Sequence, residues 1–194
     1  MIVLVDTWLI GLDAWIIQDG NYPDFSTGQV AEFAVEFYSR QGLEVMTSAS
    51  RPLARHLRDS HYSIEGQVRC DDEDALVIDV GIGVFRETTQ EHFPVGTMVA
   101  GEVYLGIDPF FYFERLAKLR KDPPLIYTWK IQRIQRQTAP FIRSGNGLIR
   151  DVSQSNWADI ESTDAWSDDE GNGSYLLECQ LQPLDPKYSS ATAT

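Results

Sequence analysis

The sequence predicts a mainly β protein, with α+β as the wider bracket. The expected form is an antiparallel barrel or sandwich of about eight or nine strands with one helix near 108–121. Three observations predict it. Apolar and polar residues alternate in several runs, as in Phe33, Val35 and Phe37 against Glu32, Ala34 and Glu36, which is the period of a half-buried strand. Clusters of turn-forming residues such as "DGNYPDF" and "DDED" punctuate those runs. Only one stretch, opening at Asp108-Pro109, carries a full set of helix start and stop signals.

Taken in order, the chain begins with two short apolar runs, "IVLV" and "AWIIQ", separated by turn-prone residues around Gly11. After Gly28 comes the alternating strand "QVAEFAVEFY". "GLEVMTSAS" is ambiguous, and "RPLARHLRD" (51–59) could form about two helical turns with Leu53, His56 and Leu57 on one face. "HYSIEGQVRC" alternates again through Tyr62, Ile64, Val68 and Cys70, with Gly66 as a candidate bulge. "ALVIDVGIGVF" is apolar in both phases, as a strand covered on both faces would be. Its "GIG" reads as a close-packing point.

The strand "TMVAGEVYLGI" leads into the helix. Asp108 suits the N-cap and Pro109 the first position, Arg115, Lys118, Arg120 and Lys121 favour the C-terminal half, and Asp122-Pro123-Pro124 stops it. Phe110, Phe113, Leu116 and Ala117 would share its buried face. "LIYTWKIQRIQRQ" alternates through Tyr127, Trp129 and Ile131 until Ile134 breaks the phase, which implies a bulge or strand end. The segments "DIESTDAW" and "SYLLECQLQPL" flank the acidic turn "SDDEGNG" and read as a hairpin, with Tyr175, Leu177, Cys179 and Leu181 inward.

One internal echo bears on architecture. "DFSTGQVAEFAVEFYSR" (24–40) and "HFPVGTMVAGEVYLGID" (92–108) align with a constant offset of 68, placing Phe25 on Phe93, Gly28 on Gly96 and Phe37 on Leu105. Recurrence of one corner-then-strand geometry explains the echo better than duplication. A duplication would divide the chain into two related halves meeting near 87–92. The organisation expected is a single domain over 1–186 and a frayed tail over 187–194. The pattern "VGTMVAGEV" is loosely similar to strands of OB-like and S1-like barrels, over about a dozen residues. That similarity carries no function.

The net charge of −13 is unevenly spread. Residues 1–114 hold 6 basic and 19 acidic side chains, residues 115–150 are net +8, and residues 151–185 hold 9 acidic and no basic ones. Such a balance disfavours nucleic acid and anionic membranes and favours a basic partner. The start lacks a basic region and is interrupted by Asp6 and Asp13, which argues against a signal peptide. No uncharged run is long enough to cross a membrane, so the expected location is the cytoplasm. Cys70 and Cys179 both fall in apolar phases and read as buried free thiols.

Chemical motifs are sparse. No Gly-x-Ser-x-Gly, phosphate loop or HExxH occurs. "DDEGNG" spaces Asp168, Glu170 and Asn172 like a calcium loop, but Cys179 stands at its twelfth position. No metal or cofactor is expected, and no catalytic residue can be named. The leading expectation is a non-enzymatic interaction module of inhibitor, immunity or adaptor type. It would bind a basic protein through Trp157, Asp159, Glu161, Asp164, Trp166, Asp168, Asp169 and Glu170. One alternative is a small-ligand binder or enzyme with a pocket in the barrel mouth near His61 and His92. A second is an OB-like binder of single-stranded nucleic acid using the 115–150 segment, with Lys130, Arg133 and Arg136 exposed on one face.

Overall fold

The computed structural model describes residues 7–47, 51–87, 91–112, 125–145, 147–154 and 156–183. It is mainly β, with a closed five-stranded barrel and additional strands. The strands are β1 (Thr7–Asp13), β2 (Val30–Phe33), β3 (Val35–Tyr38), β4 (Glu44–Val45), β5 (Leu53–Arg58), β6 (His61–Asp71) and β7 (Ala75–Asp79). They continue with β8 (Gly83–Glu87), β9 (Met98–Ile107), β10 (Tyr127–Gln137), β11 (Phe141–Ser144), β12 (Gly147–Arg150), β13 (Trp157–Ile160) and β14 (Ser174–Leu181). A short helix, α1 (Ala14–Gln18), follows β1.

The barrel closes through β9. Strand β9 pairs antiparallel with β3, Phe37 lying opposite Leu105, and with β6, Tyr62 lying opposite Val103. Strand β6 pairs with β7 and β7 with β8. The last contact is parallel, between Glu36 of β3 and Phe85 of β8. From β9 the sheet continues through a parallel contact to β1, then to β14, β10 and β13. Two parallel contacts therefore modify the expected antiparallel arrangement. The β3–β8 contact arises because β3, first of the barrel strands in the chain, is inserted between the last two.

One buried cluster joins Ile10 and Leu12 of β1, Phe37, Tyr62, Val103 and Leu105 of the barrel, and Trp129, Ile134 and Leu177 of the outer strands. A second cluster, Val77, Phe85, Tyr112 and Leu125 with Phe111 packed against it, covers the outside of β7 and β8.

The echoed segments build matching corners. In both, an i+3 amide closes on a carbonyl around a glycine of positive φ: Gln29 N–H to Ser26 O at 3.1 Å around Gly28, and Thr97 N–H to Pro94 O at 3.0 Å around Gly96. Each glycine amide then reaches a neighbouring strand, at Ile131 O and Val68 O respectively. A φ of 85° or 88° is accessible to glycine and strained for other residues. The strands that follow differ. The first is interrupted at Ala34, where it leaves β10 for the barrel, whereas β9 runs unbroken.

There are more strands than the eight or nine expected, for identifiable reasons. "ALVIDVGIGVF" is the β7–β8 hairpin, turning at Gly81 with Val80 N–H on Ile82 O, so "GIG" is a turn and not a point inside one strand. "RPLARHLRD" forms edge strand β5 and not a helix: pairing with β6 from Leu53 to Arg58 outweighs its 3–4 spacing. Conversely "AWIIQ" is helix α1, entered with Ala14 N–H held by Gly173 O at 2.8 Å. Gly11 lies within β1, not at a turn. Gly66 is a close approach to Ile78 and Val80, and the irregularity in β6 falls between Val68 and Cys70. The two segments flanking "SDDEGNG" are no hairpin, because β10 lies between β13 and β14.

The expected bulge in β10 is present between Ile131 and Arg133. Asp108 caps the following turn as expected, its carboxylate accepting Phe111 N–H at 2.8 Å and Tyr112 N–H at 3.1 Å. Of the helix predicted over 108–121, the described start is not helical up to Phe110, which has a φ of 80°, and residues 113–121 lie outside the described residues, as does the tail over 187–194.

Candidate functional site

Side chains alternate across β9. Val103, Leu105 and Ile107 enter the core, which leaves Glu102 and Tyr104 on the outer face. Register then fixes their neighbours: Tyr38 of β3 and His61 of β6 flank Tyr104, and Arg58 of β5 lies opposite His61. Beyond β3 the chain turns back through Arg40 and Gln41, with Ser39 Oγ donating to Gly42 O at 2.8 Å. These residues enclose a cleft of about 470 Å³. The volume is within the range of small-molecule sites.

The cleft is rich in cationic and aromatic groups. Arg40 has no carboxylate within ion-pair distance among the described residues, and Arg58 makes one exposed pair with Glu102 at 3.2 Å. The His61 ring stands edge-on to Tyr104 at 5.6 Å, and its buried Nδ1 has no hydrogen-bond partner among the described residues. Burial, and next the Arg58 charge, push the pKa of His61 below its usual value, against the opposing pull of Glu102 and Asp59. The imidazole is thus neutral at pH 7 and can donate or accept. Tyr104 is pushed up to about 12, chiefly by burial and then by Asp13.

Two positions from Tyr104 along the same face lies Glu36, opposite Gly106. Burial, followed by Asp108 and Glu87, raises its carboxyl to about 7. Asp108 is fully buried but satisfied by the two amides it caps.

The acidic residues expected to receive a partner are mostly engaged within the chain. Asp159 pairs with Arg133 at 2.7 Å and accepts from Gln135 at 3.1 Å. Asp168 pairs closely with Arg136 and accepts Tyr175 Oη–H at 2.9 Å. Asp169 pairs with Arg150 at 2.6 Å. Asp164 accepts Ser167 N–H at 3.1 Å. Trp157 is half-buried, its Nε1–H bonded to Asp59 Oδ1 at 2.7 Å, contrary to the exposure expected of it. Trp166 is 70% exposed, beside exposed Glu161, Asp164 and Glu170. The basic 115–150 and acidic 151–185 segments therefore neutralise one another through three ion pairs.

His61 and His92 lie at opposite ends of the barrel. His61 begins β6, while His92 contacts Asp71 at its far end (Nδ1 to Oδ1, 3.2 Å), roughly 30 Å away at the rise of a strand. His56 packs on Tyr62 instead, its Nε2 2.9 Å from Asp59 O. Asp168 and Asp169 turn to different arginines, so they do not converge as cation ligands, and no group of three potential ligands gathers among the described residues. Cys179 is buried and Cys70 only partly so; neither is in a disulfide.

Sequence reasoning missed Arg40, Tyr38, Arg58 and Tyr104. Tyr38, Arg58 and Tyr104 share a place on the outward phase of three strands, with Arg40 in the turn after β3, and only the register reveals that these strands are neighbours. The chain matches no protein-family model, no curated protein and no solved structure in comparisons with each.

Proposed function

We propose that this is a binding protein whose cleft over β3, β9 and β6 takes a small anionic ligand, one bearing carboxylate or phosphate groups. One observation carries the reading. The first 114 residues hold only six basic side chains, all arginine, and two of them, Arg40 and Arg58, line this cleft against one carboxylate, Glu102, which pairs with Arg58. In a chain of net charge −13, a cleft with one arginine in excess favours negative charge. Tyr38 and Tyr104 supply aromatic walls, and His61 a neutral polar group.

Titration calorimetry at low salt with phosphate, citrate and nucleotides tests it. Arg40→Ala should weaken the best anion about 10- to 100-fold, as expected for loss of a charge-assisted bond, with little change in Tm. Absence of binding by any anion, or affinity indifferent to Arg40, would contradict the proposal.

A second reading, an acidic surface for a basic protein partner, is favoured by Trp166, which is exposed in the same segment as exposed Glu161, Asp164 and Glu170. Trp166→Ala should then abolish salt-sensitive capture of such a partner without changing anion binding. The nucleic-acid reading is the least supported. A single strand would need an open, basic barrel face, whereas the outer face of β7 and β8 is covered by Tyr112, Leu125 and Phe111. Arg133 and Arg136 are meanwhile held by Asp159 and Asp168.

A further inference from the structure

The large sheet ends at β5, which pairs with β6 on one side and with no strand on the other among the described residues. An unpaired edge of this kind presents a row of amide and carbonyl groups ready to accept another strand. Every residue of β5 except Ala54 is exposed, including Leu53 at 40% and Leu57 at 43%. The strand is held in place. It pairs with β6 from Leu53 to Arg58, with one register shift between His56 and Arg58, and the turn after it is tied down by the Trp157–Asp59 hydrogen bond.

We infer that β5 is a docking edge for an extended acidic peptide segment, which would add to the sheet as a further antiparallel or parallel strand. Charge complementarity chooses the occupant. Arg55 and Arg58 are exposed on this strand, in a surface otherwise dominated by carboxylates. A guest strand bearing Glu or Asp on its outward phase places them beside these guanidiniums, on the face that Arg55 shares with Leu53, while its other phase lies alongside Ala54 and His56. Main-chain pairing would supply affinity and the arginines the selectivity, the usual division of labour in strand addition. Self-pairing of two β5 edges fits poorly, because it gathers four arginines along one seam.

The test uses the full chain with two labelled octapeptides, one alternating Glu and Val and the other alternating Lys and Val. Fluorescence anisotropy and amide hydrogen exchange are read at low salt. The acidic peptide should bind and protect amides of residues 53–58, and the basic peptide should do neither. Arg55→Glu should weaken binding about five-fold or more, on the scale of exposed charge pairs, whereas Arg40→Ala in the cleft should leave it unchanged. Four outcomes would overturn the inference: no binding, equal binding of both peptides, protection confined to other strands, or protection of 53–58 that rises with protein concentration alone. The last would assign the edge to a second copy, for instance through its acidic β13.

Discussion

Substituting alanine for Gly11 should destabilise the protein through a single collision. A Cβ placed on Gly11 would sit 1.7 Å from Tyr104 Oη and 2.4 Å from its Cζ, and one on Gly106 would lie 3.1 Å from the same ring. The Tyr104 ring thus lies across Gly11 of β1 and Gly106 of its own strand, in space left open because both residues lack side chains. The ring cannot swing away cheaply, since it is half-buried and its hydroxyl is hydrogen-bonded to Ser60. Overpacking of this kind costs about 1–3 kcal/mol. For a chain of this size that lowers Tm by roughly 2–12 °C.

A double-mutant cycle isolates the cause. Tyr104→Ala alone should cost about 1–3 kcal/mol, less than truncation of a fully buried aromatic because the ring is half-buried. In its background Gly11→Ala should cost almost nothing, giving a coupling of about 1–3 kcal/mol. Urea denaturation of the four proteins measures it. Additivity within about 0.5 kcal/mol, or a Gly11→Ala variant as stable as the parent, would refute the collision.

Three further outcomes are expected. Glu36, raised from 4.5 to about 7 by burial and then by Asp108 and Glu87, contributes stability that is full below pH 4.5 and lost as pH rises through 7. Glu36→Gln should match the parent at pH 4 and exceed it at pH 8 by at most about 3 kcal/mol; a pH-independent difference in urea melts would contradict this. Burial drives the Cys179 thiol far above its usual value, so a chromogenic disulfide should titrate Cys70 alone in the native protein and both thiols in guanidinium. Asp71, whose buried carboxylate accepts Phe93 N–H and meets His92, should cost about 1–3 kcal/mol when replaced by Ala, with hydrogen exchange rising first at residues 93–97.

What the sequence revealed, and what it hid, divides along the range of the interactions. The inward phases of β3, β10 and β14 were legible from alternation, because burial on one face imposes period two. The bulge in β10 was legible from the displacement of Ile134. The paired corners at Gly28 and Gly96 were legible too, since positive φ constrains residue type directly. Partner choice was not. Nothing local distinguishes "AWIIQ" as a helix until Gly173 O meets Ala14 N–H, nor Leu53–Arg58 as a strand until β6 lies beside it. The cleft was hidden for the same reason: Arg40, Arg58, His61 and Tyr104 span 64 positions and meet only through register. The acidic run was read as a partner surface because composition cannot show that Arg133, Arg136 and Arg150 would turn towards it.

The place of β3 in the barrel has a consequence for how the molecule is made. Phe37 finds its partner Leu105 only after another 68 residues, which at about 5–20 residues per second takes roughly 3–14 s on the ribosome. Until β8 is made, β3 stands with both flanks vacant, and its longer flank stays vacant until β9 arrives, the condition under which nascent chains associate wrongly. The 19 carboxylates set against six arginines in the first 114 residues then act as a timekeeper's safeguard. Mutual repulsion keeps unfinished copies apart until the strand that closes the barrel arrives.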